Sequence, residues 1–282
     1  MLVVRGPLKI ANILRLGKNK DKSIGFVPTM GALHEGHLSL IRAARKENKI
    51  VVVSIFVNPM QFGLKEDLGK YPRPLAKDLA LCRREKVDFV FCPKPLDIYP
   101  EDYSTYIEVK GLSEVLCGKS RPGHFCGVAT VVAKLLNIIQ PDILYLGAKD
   151  AQQALIIKKM ITDLNMPVKV KIMPIVREKD GLALSSRNIY LNKEEREDAL
   201  VLSQALSLAK LLIKNGARNA ERIISRMQQI IKKKKSAKID YIEIVDSRNL
   251  KGLKKVSGSY LIALAVWFGK TRLIDNVIGD SL

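Results

Sequence analysis

The sequence predicts the α/β class: a doubly wound parallel sheet over residues 1–176 and a smaller α+β domain over 177–282. Three observations carry the prediction. Strand-like and helix-like segments alternate through the first part of the chain, which is the rhythm of βαβ units. The strand-like runs, such as "KIVVVSIFVN" at 49–58, are continuously apolar, as strands buried inside a sheet are. Past residue 176 the alternation stops, and two helices are followed by two β-rich runs.

Taken in order, "IGFVPT" (24–29) is a short apolar strand that Pro28 is expected to end, and "HLSLIRAARKEN" (37–48) is a helix. After the buried strand at 49–58, "LAKDLALCRREK" (75–86) has apolar positions three to four apart and reads as an amphipathic helix. "VDFVFCP" (87–93) is a strand, and "RPGHFCGVATVVAKLLNIIQP" (121–141) reads as a loop followed by a largely buried helix. "DILYLGA" (142–148) is a strand, "DAQQALIIKKMITDLN" (150–165) a helix and "VKVKIMPIV" (168–176) the fifth strand. Five parallel strands with crossover helices make a Rossmann-like sheet, and such sheets bind ligands at the carboxyl ends of their strands. In the second part Asn192 is an N-cap with Glu195 three places on. Apolar residues at Ala199, Leu202, Leu206, Ala209 and Ile213 carry one helix to Gly216. A second helix spans 219–233, and "AKIDYIEIVD" and "SYLIALAVWF" are strands separated by a lysine-rich turn.

A chain of 282 residues, 47% of them hydrophobic, can fill a sizeable core. Its apolar runs fall well short of the roughly 20 residues that cross a bilayer. The start lacks the apolar core and small-residue cleavage site of a secretory leader. A cytoplasmic protein with no membrane association is expected. The four cysteines show no CxxC spacing, so reduced structural thiols are expected in place of a zinc knuckle or a dithiol redox pair. The net charge of +20 is dispersed, and its one dense run, Lys232 to Lys235, sits at the polar end of a predicted helix. A solvated face, with no nucleic-acid partner, is the expectation.

The chemistry concentrates at "TMGALHEGH" (29–37), where a strand gives way to a helix. His34 and His37 are three apart around Gly36, whereas a zinc protease needs histidines four apart in H-E-x-x-H, so zinc is disfavoured. Gly31 and Gly36 let the backbone approach a ligand, and the N–H groups of a first helical turn bind anions. Imidazole N–H groups there can donate to phosphate oxygens and stabilise charge that builds during displacement at phosphorus. "SEVLCGKS" (113–120) imitates a Walker A loop, but Ser113 replaces its first glycine and Pro122 opposes the helix it must open. "SIFVNPMQFG" (54–63) ends a buried strand with Asn58 and Gln61, and the Gln61 amide can both donate and accept. Lys149 is a point charge for phosphate after another strand, Asp150 can accept from ribose hydroxyls, and Gln153 can face the same side of the helix as Asp150. "LSSRN" (184–188) lines up two hydroxyls, a guanidinium and an amide, a set able to grip a triphosphate.

"GALHEGH" resembles the HxGH signature of the nucleotidyltransferase superfamily. With "NPMQFG", "YPR" (71–73), "RPGHFCGV" (121–128), "GAKDAQQ" (147–153) and "REKDGLALSSRN" (177–188) in that order, most of the chain resembles the pantothenate synthetase (pantoate–beta-alanine ligase) family. The resemblance implies ATP with Mg²⁺, the substrates pantoate and beta-alanine, and a homodimer. It implies a pantoate carboxylate that attacks the α-phosphorus, and a beta-alanine amine that then displaces AMP from the adenylate. His34, His37, Lys149 and Arg187 are the implied catalytic groups. The implied ATP contacts are Met30, Gly31, Ala32, Leu33, His34, Glu35, Gly36, His37, Gly147, Ala148, Lys149, Asp150, Val176, Leu184, Ser185, Ser186 and Arg187. Gln61 and Gln153, with Asn58, Tyr71 and Arg121, are implied on the substrate side, and the metal ligands are left unassigned. "LSSRN" resembles the mobile phosphate-gripping motif written "KMSKS" elsewhere in the superfamily, so the second domain is expected to act as a lid. Ala148 and Cys126 stand where many members carry an acidic residue, which touches local polarity and metal ordering. Two rivals remain. An HxGH adenylyltransferase acting on a nucleotide or phosphopantetheine gives no reason for "NPMQFG" and "KDAQQ", and an RNA-binding synthetase relative would use the positive charge.

Overall fold

The computed structural model describes residues 1–15, 22–63 and 66–281. Their contacts divide into two compact units. The first comprises Met1–Ser113, Arg121–Ala148 and Gln153–Pro174, and the second Glu114–Ser120, Lys149–Gln152 and Ile175–Leu282.

The chain runs β1 (Leu2–Val4), α1 (Pro7–Arg15), β2 (Ile24–Thr29), α2 (Glu35–Glu47), β3 (Ile50–Ile55), α3 (Leu75–Arg84), β4 (Phe89–Phe91) and α4 (Pro95–Ile98). It continues through α5 (Cys117–Ser120), α6 (His124–Ile139), β5 (Ile143–Gly147), α7 (Ala151–Asp163) and β6 (Lys169–Met173). The six strands form one parallel sheet in the order β1-β4-β3-β2-β5-β6, one strand more than the sequence predicts. The addition is β1, three residues long and exposed at two of them, too short to show a period. Pro28 lies inside β2, because from Val27 onward that strand is paired on one side and a missing N–H removes little. Leu38, Ile41 and Ala44 recur at helical spacing on α2 and pack with Val51, Val53 and Val90. Each large apolar side chain buried this way contributes about 1.5–3 kcal/mol. Chain order runs one way from β2 through β3 and β4 and the other way from β5 to β6, so the switch point lies between β2 and β5. Burial pushes the Cys82 thiol up to about 12 and the Cys92 thiol up to about 11, which keeps both protonated.

The second unit contains α8 (Lys193–Ala199), α9 (Val201–Lys214), α10 (Ala220–Ile231) and an antiparallel sheet of β7 (Ala237–Asp246), β8 (Gly258–Phe268) and β9 (Thr271–Ser281). The capping box of Asn192 and Glu195 is present. The single helix expected from Asn192 to Gly216 is interrupted at Leu200, whose N–H reaches the Glu197 carbonyl in place of one four residues back. The helical period survives the break, so Ala199, Leu202, Leu206, Ala209 and Ile213 still share a buried face and the sequence shows no gap. The register of β7 slips between Ile239 and Tyr241, leaving Asp240 as an extra residue whose carboxylate accepts from Arg272 at 2.7 and 3.0 Å. The lysine run follows the carboxyl end of α10, where cations complement the helix dipole, and Lys234 lies 3.5 Å from Asp198. Among the described residues no helix is long and apolar enough to cross a membrane.

Candidate active site

The segment after β2 is shaped by a carboxylate from another helix. Thr29 Oγ1 donates to the Ser54 carbonyl and accepts the Gly31 N–H. Gly31 has φ +85°, and a Cβ there would lie 3.0 Å from both Asp78 Oδ2 and Ile55 Cγ2, so the position requires glycine. Ala32 follows at φ 50°, a conformation that costs roughly 1–2 kcal/mol for a residue with a Cβ. Asp78 offsets that cost. Its Oδ2 accepts the Ala32 N–H at 2.9 Å and its Oδ1 the Leu33 N–H at 2.8 Å. Asp78 is 1% exposed, and burial pushes its carboxyl above the usual range against the two N–H bonds that favour the charge.

The turn built this way delivers two histidines to the start of α2 as a capping box. His34 is the N-cap and its Nδ1 accepts the Gly36 N–H at 3.2 Å, while His37 Nδ1 accepts the His34 N–H at 3.3 Å. The rings lie 4.1 Å apart. An Nδ1 that accepts places the proton of the neutral ring on Nε2, so both imidazoles present Nε2–H as a donor. Glu35, in the same first turn, is paired with Arg42, which also bonds Glu85.

β3 borders β2, and its end supplies the second element. Asn58 caps a short 3₁₀ turn, Pro59–Gln61, and is 1% exposed. Its Oδ1 accepts from Tyr99 Oη (2.9 Å) and Met60 N–H (3.3 Å), and its Nδ2 donates to the Gly127 carbonyl (3.0 Å) and Gln61 Oε1 (3.3 Å). That uses the full capacity of its amide within the protein. α6 can approach the turn because residue 127 is glycine, since a Cβ there would fall 2.2 Å from the Met60 carbonyl oxygen. Gln61 Nε2 donates to Met30 Sδ at 2.7 Å, a weak acceptor that a ligand oxygen can replace. Behind it, His124 Nδ1 donates to the Gln61 carbonyl at 2.8 Å and Arg121 approaches the same oxygen at 3.3 Å. Arg121 also donates twice to Glu66, at 2.5 and 2.7 Å. Burial alone would raise the Glu66 carboxyl, but the Arg121 guanidinium holds it below the usual range. Tyr71 is buried with its ring 6.0 Å from Phe62, and Gln153 is half-buried in the first turn of α7. β5 ends in Gly147 beside β2, followed by Ala148.

The remaining expected residues belong to the second unit. Lys149 Nζ lies 3.2 Å from Asp150 Oδ1. Arg177 and Ala183 bridge as a small antiparallel pair, Leu184 N–H donates to the Val176 carbonyl at 3.0 Å, and Leu182 and Ala183 are buried. The loop "LSSRN" takes up a 3₁₀ turn, Ser186–Tyr190, with Ser185 Oγ accepting the Arg187 N–H. Asn188 Nδ2 holds the turn closed on Glu178 and the Ala183 carbonyl. Among the described residues no three His, Cys, Asp or Glu side chains converge as a metal site.

Two residues that shape these segments were not singled out from sequence: Glu66 and Asp78. Asp78 left a signal, because it sits three after Leu75 and four before Cys82, on the apolar stripe of α3.

Imidazole N–H donors beside the switch point of a parallel sheet are the arrangement of the nucleotide-dependent α/β enzymes as a class. Residues 3–278 match the family model described as pantoate-beta-alanine ligase. The chain is 52% identical over 281 residues to a pantothenate synthetase of Caldicellulosiruptor bescii, covering 100% of both chains. A crystal structure of pantothenate synthetase from Thermus thermophilus superposes with TM-score 0.93 at 42% identity, covering 98% of this chain and 99% of that one. A pantoate-beta-alanine ligase from Francisella tularensis, complexed with beta-gamma ATP and beta-alanine, superposes with TM-score 0.82 at 38% identity, covering 99% and 97%. The chain belongs to the pantoate-beta-alanine ligase family, and it is an enzyme that joins pantoate to beta-alanine at the expense of ATP.

Proposed function

We propose that the two HxGH imidazoles and the Gln61 turn carry out the first half of this reaction, formation of pantoyl adenylate. The observation that carries the reading is the pair of Nδ1-capped histidines, whose tautomer turns both Nε2–H groups into donors at the end of β2. A carboxylate oxygen of pantoate attacks the α-phosphorus, and pyrophosphate leaves with the electron pair of the broken P–O bond. Pantoate is ionised at pH 7, so this step needs no general base. It needs charge stabilisation and alignment. His34 and His37 donate to the phosphoryl oxygens, and Lys149 and Arg187 neutralise the triphosphate, with Ser185 and Ser186 holding its outer phosphates. Mg²⁺ on the phosphates adds Lewis-acid polarisation when bound. Gln61 and Gln153 bind pantoate, with Asn58 as the brace that presents Gln61 and Arg121 as the guanidinium that holds the Gln61 carbonyl. In the second half the beta-alanine nitrogen attacks the acyl carbon, the C–O bond to AMP breaks, and the amine loses its proton.

The test is AMP release by purified enzyme with Mg-ATP. Turnover AMP that needs both pantoate and beta-alanine is the expected result, and AMP formed equally well without pantoate would overturn the reading. Replacing Gln61 by Ala removes a ligand contact and leaves the sheet intact, so the pantoate KM should rise by about tenfold or more, the scale of one or two hydrogen bonds. An unchanged pantoate KM would take Gln61 out of the pantoate contacts. The family resemblance also supports a homodimer, checked by sedimentation, and a cytoplasmic location, checked by fractionation.

A further inference from the structure

The second unit assembles from three stretches that are distant in sequence, and β9 touches all of them. Successive side chains of a strand point to opposite faces. Leu273, Asp275 and Val277 face the helix-packed core, and Arg272, Ile274 and Asn276 face the other way. On the core face the Asp275 carboxylate, 2% exposed, accepts both Arg177 donors, Nη1 at 2.6 Å and Nη2 at 2.9 Å. Arg177 Nη1 also donates to the Gly181 carbonyl at 3.0 Å, which closes the turn leading to Leu184–Arg187. On the opposite face Asn276, 5% exposed, donates Nδ2 to the Lys149 carbonyl at 2.8 Å. The Asn276 N–H donates to Asp275 Oδ1 at 2.8 Å, so the oxygen that accepts Arg177 Nη2 also holds the Asn276 backbone. Four residues away on the same face Arg272 reaches Asp240 and lies 3.6 Å from Cys117 Sγ, and the Cys117 N–H donates to Gln152 Oε1 at 3.0 Å.

We propose that Asp275 and Asn276 are positioning residues that fix the Lys149 backbone and the 177–184 turn on one rigid strand, so that the lysine and the phosphate-binding hydroxyls keep a set spacing. The inference rests on the ATP roles proposed above for Lys149 and Ser185–Arg187. A buried polar pair carries a desolvation penalty unless its groups are bonded, and here the Asp275 carboxylate is bonded to Arg177, which closes the 177–181 turn, and the Asn276 amide to the Lys149 backbone, both in segments assigned to ATP above.

The experiment compares wild type with Asn276→Leu, which keeps the branched shape and removes the donor, and Asn276→Ser, which returns a shorter donor. Asp275→Asn is the second variant, milder than truncation, which would strand the Arg177 charge. Hydrogen exchange is read on the ligand-free enzyme. Asn276→Leu should speed amide exchange at Lys149–Gln152 by about tenfold or more, with the amides of β8 unchanged, and Asp275→Asn should do the same over 178–184. In steady state the ATP KM should rise, or kcat fall, by roughly tenfold with the pantoate KM unmoved, and Asn276→Ser should recover part of the loss. Unchanged exchange at those segments would overturn the tether whatever happens to the rate. Faster exchange with unchanged ATP kinetics would overturn the positioning role. Wild-type enzyme that forms no AMP would overturn the functional reading alone, since exchange still decides the tether.

Discussion

His37→Ala should lower pantoate-dependent exchange between ATP and pyrophosphate by roughly 10² or more, the scale of losing one donor aimed at developing charge. The structure lets this loss be separated from a damaged helix start. His37 occupies the third helical position, where its Nδ1 accepts the N–H of the N-cap residue, a place that glutamate and glutamine fill in ordinary capping boxes. His37→Ala therefore costs about 0.5–2 kcal/mol of capping in addition to the donor. His37→Glu restores the cap but brings a negative charge toward phosphate, so stability should recover while exchange falls below the alanine variant. His37→Gln restores the cap and leaves an amide N–H₂ that can donate, so it should be the most active of the three. If activity tracks melting temperature across the series, His37 is a helix cap and nothing more.

The parts of this molecule that were legible in the sequence are those where local pattern and tertiary role agree. The continuous apolar run of β3 and the helical stripe of α2 specify their own structure, because burial on both faces or on one face is written directly into residue order. The histidines were legible as chemistry because no packing argument asks for two imidazoles around Gly36. Their capping role was not, since a capping box is normally written with oxygen side chains. What stayed hidden was polarity placed inside apolar elements. β9 did not read as a strand because Asp275 and Asn276 break its alternation, yet both are buried and bonded. Asp78 lies on the apolar stripe of α3, and its two backbone partners, 45 and 46 residues upstream, are beyond the reach of any local pattern. A one-dimensional pattern records how far a residue is from apolar, and it cannot record which distant N–H group makes that polarity affordable. β1 escaped for the simpler reason of length.

Asp78→Ala is expected to be the most damaging single change outside the residues proposed to contact ATP. It removes the acceptor of two backbone N–H groups at a side chain that is 1% exposed. Each orphaned N–H costs about 1–3 kcal/mol when water cannot reach it, so the loss should be about 2–6 kcal/mol and the melting temperature should fall by roughly 5–20 °C. The local consequence is larger than the global one. Ala32 holds φ 50° against a preference for negative φ, and with its N–H and that of Leu33 released the turn keeps only the Thr29 bond at Gly31 and the His37 bond at His34. His34 and His37 would then lose their fixed approach, and a misplacement of about 1 Å is enough to cost roughly 10² in rate. Asp78→Asn sharpens the test, because its single amide oxygen can serve one N–H while its N–H₂ confronts the other. It should melt between wild type and the alanine variant, with adenylate formation depressed far more than its stability would suggest. Both variants should keep the pantoate KM, since the Gln61 turn is held by Asn58, Arg121 and His124. Full adenylation activity in folded Asp78→Ala enzyme at reduced temperature would show that the histidine turn keeps its shape without the carboxylate, and the account of how this sequence aims its imidazoles would have to be replaced.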